Sequence, residues 1–338
     1  MSETMMAQEI AQIPVVVARQ VGSGAARYRE IGARLRRLDP PVVVTAARGS
    51  SDHAALYFKY LVETRIGRPV ASMGPSVTSV YEARLRLEGA AMLAVSQSGA
   101  SPDLLSLLDA GQAGGALTIA LVNAENAPAG DRVDLLAPLL AGPEVAVAAT
   151  KSYIASLVAG AMIAAEWAED NALASALDAL PDALEQAVSA DWSRAIDSFS
   201  EPGTVFCVGR GPGLSIAAEA ALKFKETCGL HAEAYSTAEV LHGPVALAEP
   251  GLRALVFLAE DEARSGILDT AAKLAETGAQ VWCAGEGRDR LVVPAAPHPA
   301  LVPICQAAAF YAFVEKVARR LGRNPDQPAH LSKVTRTM

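Results

Sequence analysis

Short apolar runs rich in β-branched residues alternate along the chain with longer segments of helical periodicity. Gly or Pro bounds most of the runs, and this alternation is typical of βαβ units and a parallel sheet. The pattern predicts strands at Pro41–Ala47, Ala91–Val95, Leu117–Val122, Val205–Gly209, Ala254–Ala259, Ala279–Ala284 and Leu291–Val293. It also predicts a helix after Ser101, because Ser is a favoured N-cap, Pro102 suits the first helical position and Asp103 complements the helix dipole.

A weak internal repeat of 162 residues relates the two halves of the chain. The offset connects three pairs at equivalent strand positions, which are Arg48 and Arg210, Leu93 and Leu255, and Ile119 and Val281. Although few identical residues match, three landmarks at one spacing predict two structurally equivalent α/β lobes. We expect the boundary in the helical stretch Asp170–Ala190, which Pro181 interrupts.

Composition limits the possible functions. The chain has 338 residues, of which 51% are hydrophobic and 20% charged, so a disordered or fibrous protein is excluded. Lys and Arg number 29 against 37 Asp and Glu, giving a net charge of −8. We therefore expect no nucleic-acid partner, and any anionic ligand must be held by a local site.

The cysteines are far apart and form no CxxC or Cys/His spacing that would indicate a zinc site or a disulfide framework. They are Cys207, Cys228, Cys283 and Cys305. The N-terminus shows no signal peptide, and no uninterrupted apolar run reaches the roughly 18 residues needed to span a bilayer. We expect a cytoplasmic soluble protein with no metal and no membrane partner.

Two loops rich in hydroxyl groups follow predicted strands. Ser96, Gln97, Ser98 and Ser101 lie between a buried strand and a capped helix, where helix amides favour phosphate. Gly49-Ser50-Ser51 is the second such loop. An ordinary βα turn remains the alternative for both. The segment Gly209–Leu214 is only a partial GxGxxG, and no P-loop occurs, so no nucleotide cofactor is expected.

Ionisable residues are densest between Glu219 and His242. Glu219, Lys223 and Glu226 follow one helix stripe, and His242 precedes a Gly-Pro turn. A carboxylate and an imidazole are a suitable base and acid for proton transfer. The alternatives are a solvated salt-bridged face and a structural histidine. Lys333 lies in a terminal segment of a kind that is usually frayed and exposed.

Taken in order, these motifs resemble the SIS (sugar isomerase) family, specifically the isomerase half of glutamine:fructose-6-phosphate amidotransferase and its free-standing relatives. The matching segments span nearly the whole chain. They are Met6–Ile10 with Pro14, Gly49–Ser51, Ser96–Ser101, Val147–Lys151, Ala221–Glu226, His231–Tyr235, His242–Pro244, Asp326–Pro328 and Lys333.

The resemblance implies an α/β fold with two tandem SIS domains, each a parallel sheet sandwiched between helices in a flavodoxin-like three-layer arrangement. The expected parts are an N-terminal helical arm at 1–30, SIS domain 1 at 31–170, SIS domain 2 at 190–322 and a catalytic tail at 323–338. A homodimer is implied, because the family's matching histidine enters the site of the neighbouring subunit.

The resemblance also assigns roles to single residues. It implies that a sugar 6-phosphate binds to Gly49, Ser50, Ser51, Ser96, Gln97, Ser98, Ser101 and Val147. Glu226 resembles the base that moves a proton between C1 and C2, with Lys223 beside it. His242 would assist ring opening, and Lys333 would reach the open-chain carbonyl or imine. No cofactor is implied.

Two departures leave the exact sugar open: Ala149 replaces a serine that touches the sugar, and Ala100 replaces a glutamate of the phosphate loop. The chain begins Met1-Ser2, without the N-terminal cysteine with which the amidotransferase releases ammonia from glutamine, so we expect no use of glutamine as nitrogen donor. Our hypothesis is an SIS-type glucosamine-6-phosphate deaminase. The alternatives are another phosphosugar isomerase, a fructosamine-6-phosphate deglycase, or a sugar-phosphate-binding regulator without catalysis.

Overall fold

A computed structural model describes residues 3–287 and 289–333. The contacts divide the chain into two units, each built around a five-stranded parallel sheet. The first unit comprises Val15–Glu144 and Lys151–Asp178. It contains the strands β1 Val43–Ala46, β2 Val70–Ser72, β3 Ala91–Ser96, β4 Leu117–Val122 and β5 Leu135–Pro138.

The second unit comprises residues 3–14, Val145–Thr150 and Ala179–Lys333. Its strands are β6 Thr204–Gly209, β7 His231–Ser236, β8 Arg253–Phe257, β9 Gln280–Gly285 and β10 Leu291–Val292. Two parallel α/β lobes were expected from the repeat, and this expectation is confirmed. The domain boundaries given above remain a prediction.

The α-helices of the described residues are α1 Met5–Ala11, α2 Ile13–Arg19, α3 Ala25–Leu38, α4 Ser50–Arg65, α5 Ser76–Ser79, α6 Pro102–Ala113, α7 Lys151–Ala168, α8 Asn171–Asp178, α9 Leu180–Val188, α10 Ser193–Phe199, α11 Gly213–Lys223, α12 Thr237–Val240, α13 Arg264–Glu276 and α14 Val302–Arg320. Two π-helical segments, Gln20–Gly24 and Phe224–Cys228, follow α2 and α11 directly. Short 3₁₀ turns occur at Pro128–Arg132, Pro244–Leu247 and Pro299–Leu301.

Both sheets have the same strand order. The order is β2-β1-β3-β4-β5 in the first and, from the corresponding edge, β7-β6-β8-β9-β10 in the second. Val43 pairs with Ala91 in the first sheet, and Val205 pairs with Arg253 in the second. The second pair therefore lies 162 residues after the first at both positions. This is the flavodoxin-like order, in which strands are added in one direction up to β2 and in the other from β3 onward, so that the order reverses between β1 and β3 and, in the second sheet, between β6 and β8.

The second repeat has one residue more between the paired positions of β8 and β9 than the first has between those of β3 and β4. Leu93 pairs with Ile119, whereas Leu255 pairs with Trp282. The structural counterpart of Ile119 is therefore Trp282, and the predicted match to Val281 is one residue out.

Alternate residues of each strand face opposite layers of helices. In the first sheet, Val44 and Met92 belong to a buried cluster with Leu104, Leu107 and Leu108 of α6. Helices α4 and α7 pack together on the other side of the strands. In the second sheet α13 takes the place of α6, and α11 packs against α14. Each sheet is therefore buried on both faces, which explains why its inner strands are nearly continuous apolar runs.

All seven predicted strands occur, with ends that differ by at most two residues, but three strands of the described residues were missed. The missed strands β2, β5 and β7 all lie at sheet edges. Two of the three residues of β2 are exposed, β5 ends at Pro138, and β7 carries polar residues in the sequence His231–Ser236. An edge strand is only half covered, so it lacks the apolar run on which the prediction depended.

One helix among the described residues is long and apolar enough to cross a bilayer by composition alone. The most apolar 18-residue window of this segment, Pro299–Arg320, has a mean hydropathy of 1.3, yet 89% of that window is buried inside the fold. Burial of this kind is typical of the core helix of a folded domain.

Candidate functional site

Two serine-bearing loops follow neighbouring strands of the first sheet. Strands β1 and β3 are paired up to Ala46 and Ala94, close to their carboxyl ends. The chain order reverses between these two strands, and open α/β sheets bind ligands at such a point. The structure thus brings the two predicted phosphate-binding segments together at the carboxyl ends of two neighbouring inner strands.

The loop after β1 turns sharply at Gly49. Its φ of 56° and ψ of −133° are readily adopted only by glycine. The Gly49 carbonyl accepts the amides of Asp52 at 2.9 Å and His53 at 3.1 Å, so α4 begins at once with Ser50 and Ser51 in its first turn. Burial raises the pKa of the Asp52 carboxyl, and nearby His53 offsets part of this effect.

The loop after β3 is shaped by its own serines. Ser96 Oγ accepts the amide of Gly99 at 2.9 Å, and Ser98 Oγ accepts the amide of Ala100 at 3.4 Å. Ser101 is the N-cap residue of α6, but its side chain makes no capping hydrogen bond. Ser96 therefore stabilises the turn, and the Ser101 hydroxyl is not used to cap α6.

Gly99 fits a place where no side chain could. Its φ is 59°, and a Cβ built there would lie 2.7 Å from Val122 Cγ1 and 2.8 Å from Ala127 Cβ. The loop therefore depends on glycine for both its backbone conformation and its packing against the end of β4.

An ion pair connects the two loops. Arg48 Nη2 contacts Oδ2 of Asp103, whose side chain is 1% exposed while that of Arg48 is 52% exposed. Asp103 Oδ1 also accepts the amide of Leu104 at 2.8 Å. Sequence reasoning missed this contact, since it used Arg48 as a repeat landmark and Asp103 as a helix-start signal. Only the pairing of β1 with β3 brings the two residues together.

Gln97 lines a separate cavity of about 430 Å³ at the carboxyl end of the same sheet. The cavity also includes Arg19, Asn123 and Gly142. The Asn123 side chain holds its wall by donating to the Gly142 carbonyl at 2.9 Å and accepting the Ala141 amide at 2.9 Å. Gln97 therefore belongs both to the serine loop Ser96–Ser101 and to the lining of this cavity.

Three charged side chains meet in the second unit at the end of α11. Lys223 Nζ lies 3.2 Å from Glu219 Oε1 and 2.6 Å from Glu226 Oε2. Lys223 and Glu219 are each 1% exposed, whereas Glu226 is 22% exposed. The alternative of a solvated salt-bridged face is therefore wrong for this cluster. The carboxylate predicted to act as the base is the member that reaches the surface.

The charge of Lys223 is stabilised by its two carboxylates. Burial by itself lowers the pKa of the ammonium, but Glu219 and Glu226 outweigh this effect, so that the pKa of Lys223 is raised. The lysine thus remains a cation that fixes the position of the Glu226 carboxylate.

Glu226 lies in the π-helical segment Phe224–Cys228, where the wider turn replaces the α-helix of Gly213–Lys223. Such segments are rare and frequently occur at functional sites. The segment ends at Gly229, whose φ is 63° and whose Cβ would meet the Arg323 guanidinium. The sequence predicted the stripe of charged residues but not this change of helix type.

Tyr311 is a member of the cluster that the sequence did not reveal. Its hydroxyl donates to Glu219 Oε1 at 2.8 Å, and the side chain is fully buried on α14. The two residues are 92 positions apart, and only the packing of α11 on α14 indicates the contact.

His242 is exposed on the turn between α12 and the 3₁₀ segment Pro244–Leu247. Its amide donates to the Glu239 carbonyl at 2.9 Å, and Gly243 follows with a φ of 131°. The imidazole makes no hydrogen bond within the part of the chain that the structure describes. A structural role through hydrogen bonding is therefore not supported.

The predicted tail lysine is held against a loop of the same unit. Lys333 Nζ donates to the Ala146 carbonyl at 2.7 Å, and the Val147 amide donates to the Asp326 carbonyl at 3.0 Å. The frayed-tail alternative is thus wrong at Lys333. Val147 and Lys333, which the family resemblance singled out separately, belong to one hydrogen-bonded assembly.

The N-terminal helix completes this assembly. Asp326 accepts the amides of Met5 at 2.9 Å and Met6 at 2.8 Å. Buried Glu9 accepts the amides of Val145 and Ala146 through Oε1. The sequence motifs around Glu9 and Asp326 therefore position the loop that contacts Lys333.

Within residues 3–287 and 289–333, no three His, Cys, Asp or Glu side chains cluster in a way that could hold a metal ion. The expectation that no metal or cofactor takes part remains a prediction.

Comparison with known proteins identifies relatives of this chain. The curated glutamine–fructose-6-phosphate aminotransferase [isomerizing] of Symbiobacterium thermophilum is 30% identical over 98% of this chain. The chain spans 56% of that relative's length. The similarity therefore concerns a part of the relative and not its whole.

Two solved structures are similar along nearly their full length. A candidate phosphosugar isomerase from Silicibacter pomeroyi DSS-3 is 44% identical with a TM-score of 0.91, covering 96% of this chain and 100% of its own. A glucosamine-6-phosphate deaminase from Thermotoga maritima is 21% identical with a TM-score of 0.75, covering 95% and 100%. At this lower identity, the second comparison shows the fold alone.

The family model described as SIS domain matches residues 40–166 and 198–284, one match in each repeat. These matches include the β1 and β3 loops of the first sheet and the Lys223–Glu226 cluster beside the second. The chain therefore belongs to the SIS domain family, as a tandem pair of phosphosugar-isomerase-type α/β domains.

Proposed function

We propose that the protein converts an amino-sugar 6-phosphate, glucosamine 6-phosphate first among them, to fructose 6-phosphate and ammonia. The observation that carries the proposal is the contact of 2.6 Å between buried Lys223 and the partly exposed Glu226 carboxylate. A carboxylate fixed in this way can take and return a proton in one orientation, which is what transfer between two neighbouring carbons requires.

In this proposal the phosphate binds at the serine loop of the first sheet. The hydroxyls of Ser98 and Ser101 and the amides at the start of α6 would donate to its oxygens, with Ser50 and Ser51 on the adjoining loop. Gly49 and Gly99 support this role by allowing the backbone to approach the ligand. Gln97 and Val147 would contact the sugar.

His242 would assist opening of the pyranose ring. Its exposed position on a turn supports action on a ligand that another copy of the chain holds, so the proposal includes a homodimer with His242 donated across the interface. The imidazole suits the step, because ring opening needs a group that can donate and accept a proton.

Glu226 would then remove the C2 proton of the open-chain aldehyde and return a proton at C1. The enolamine formed in between becomes fructosimine 6-phosphate, and one water molecule hydrolyses its C=N bond to a ketone and ammonia. Lys333 would bind the developing carbonyl or imine. No electron acceptor is required, since hydrogen moves only from one carbon to the next. The proposal places the activity in the cytoplasm.

A related reaction is the second candidate. The similar structure at 44% identity is described as a candidate phosphosugar isomerase, and an aldose–ketose isomerase would use the same base and phosphate loop without losing ammonia. A deglycase acting on a fructosamine 6-phosphate adduct would move the proton in the opposite sense, from C1 to C2, and hydrolysis of the resulting C1 imine would release the amine and an aldose 6-phosphate. The common element is proton transfer at C1 and C2.

An assay with a substrate panel tests these candidates. Purified protein is incubated with glucosamine 6-phosphate, galactosamine 6-phosphate, a fructosamine 6-phosphate adduct and glucose 6-phosphate. Ammonia, ketose phosphate, aldose phosphate and the amine of the adduct are measured, and release of aldose phosphate with that amine indicates a deglycase. Stoichiometric ammonia and ketose from an amino-sugar phosphate support the deaminase. Ketose without ammonia indicates an isomerase. Binding of the sugars without any turnover contradicts both and indicates a regulator.

A further inference from the structure

The serine loop has no cation of its own. Residues Ser96–Ser101 include no ionisable side chain, and the protein carries a net charge of −8. Hydroxyls and helix amides would therefore have to balance a phosphate dianion in a protein that repels anions overall. A cation beside the loop would change this balance.

Arg48 is positioned to supply that charge. It directly precedes Gly49, and its guanidinium contacts Asp103 in the first turn of α6, two residues after Ser101. The guanidinium has five N–H donors in a rigid fork. Asp103 is almost fully buried while Arg48 is half exposed, so one end of the fork is anchored and the other faces the surface.

The second unit shows that this arrangement is not a general feature of the repeat. Arg210 and Gly211, with a φ of 56°, reproduce Arg48 and Gly49. The counterpart of Asp103, however, is Ser265. The loop equivalent to the serine loop is Leu258–Ala263, which carries three acidic residues. Of the two switch points in residues 3–287 and 289–333, only the first combines an anchored arginine with a serine loop.

We propose that Arg48 binds the substrate's phosphate directly, with Asp103 as the residue that positions its guanidinium. The inference rests on the proposed role of the serine loop as the phosphate site and adds a charged member to it. The competing explanation is that Arg48 only neutralises the buried Asp103 carboxylate. The two explanations differ in what happens when both charges are removed together.

The test uses inorganic phosphate as the probe and isothermal titration calorimetry of the full-length protein at constant ionic strength. The variants are Arg48→Gln, Asp103→Asn, the double variant of both, and Arg86→Gln as the matched control. Arg86 is exposed and precedes the amino end of β3, so it lies at the end of the strands opposite to the serine loop. If Arg48→Gln does not fold cooperatively, Arg48→Lys replaces it in the test. Lysine keeps the positive charge but lacks the forked N–H donors of the guanidinium.

We expect Arg48→Gln and the double variant to weaken phosphate binding by about 10-fold or more, as for loss of a hydrogen bond to a charged group. Arg86→Gln should stay within about twofold of wild type. Full recovery in the double variant overturns the proposal, because Arg48 would then act only on Asp103. Unchanged binding in Arg48→Gln, or no phosphate binding by wild type, also overturns it.

The readout needs no turnover, so it separates this inference from the deaminase assignment. A negative ammonia assay together with Arg48-dependent phosphate binding would reject the reaction and keep the site.

Discussion

Lys223 Nζ lies 2.6 Å from Glu226 Oε2 across the junction of an α-helix and a π-helical segment. The same ammonium contacts Glu219, so a single buried cation holds two carboxylates. One of them is enclosed, and the other reaches the surface where a substrate could meet it. This relationship makes Glu226 the central residue of the proposed chemistry.

Replacement of Glu226 by Gln should lower kcat by at least about 10²–10⁴-fold, because the amide cannot take the C2 proton. Steady-state assays with ammonia detection measure the loss. Affinity for inorganic phosphate should not change, since the serine loop is intact. Glu249→Gln, at an exposed position, is the control. A Glu226→Gln protein that keeps wild-type kcat would exclude Glu226 as the base.

Replacement of Lys223 by Met should lower the free energy of unfolding by about 3–5 kcal/mol, because it leaves buried Glu219 without its cation. Urea denaturation measures the change. The control is Lys273→Met on the exposed face of α13, for which we expect less than about 0.5 kcal/mol. A similar small effect at Lys223 would show that the buried cluster contributes little to stability.

Gly99→Ala should reduce stability by about 2 kcal/mol or more and weaken phosphate binding, since the new Cβ meets Val122 and Ala127 at a positive φ. Gly22→Ala is the matched control. No heavy atom lies within 4 Å of a Cβ at Gly22, and its φ is not positive, so stability should be unchanged or rise by up to about 1 kcal/mol. Equal effects of the two changes would contradict the packing argument.

Asp326→Ala should speed hydrogen exchange of the amides in Met5–Ala11, because the carboxylate accepts the first two of them. Loss of such a cap costs about 1 kcal/mol. Mass spectrometry of the N-terminal peptide provides the measurement, and Asp131→Ala in the first unit is the control. If the peptide exchanges at the wild-type rate in Asp326→Ala, the tail does not stabilise the N-terminal helix.

Stability should fall as the pH rises above about 9. Burial raises the pKa of Cys305 to about 12, so between its ordinary value of 9.0 and about 12 the folded chain keeps a proton that the unfolded chain loses. A raised pKa contributes stability at lower pH that is lost through this window, at up to about 1.4 kcal/mol per pH unit.

Burial also raises the pKa of Tyr28 to about 12, with the same sign. Urea denaturation between pH 8 and 10.5 should show a flatter dependence in Cys305→Ala than in wild type. Parallel curves for the two proteins would contradict the assignment to Cys305.

Much of the fold followed from the sequence because both sheets are covered on both faces. Inner strands such as β3 and β4 are continuous apolar runs, and the 162-residue repeat revealed two lobes with the same strand order. The serine loop, Lys223 and Glu226 could also be predicted as site residues, since each lies within a compact local motif, and their roles stay a prediction. Edge strands β2, β5 and β7 escaped detection because half-exposed strands carry no such pattern.

The sequence by itself determined the family, the two parallel sheets and the positions of the local motifs, because burial and turn chemistry are encoded over short stretches. Only the tertiary structure decided which distant residues meet. Arg48 reaches Asp103, Tyr311 bonds Glu219 from 92 positions away, and Lys333 bonds Ala146 from 187 positions away. These contacts depend on strand order and helix packing, and no local pattern of residues specifies them.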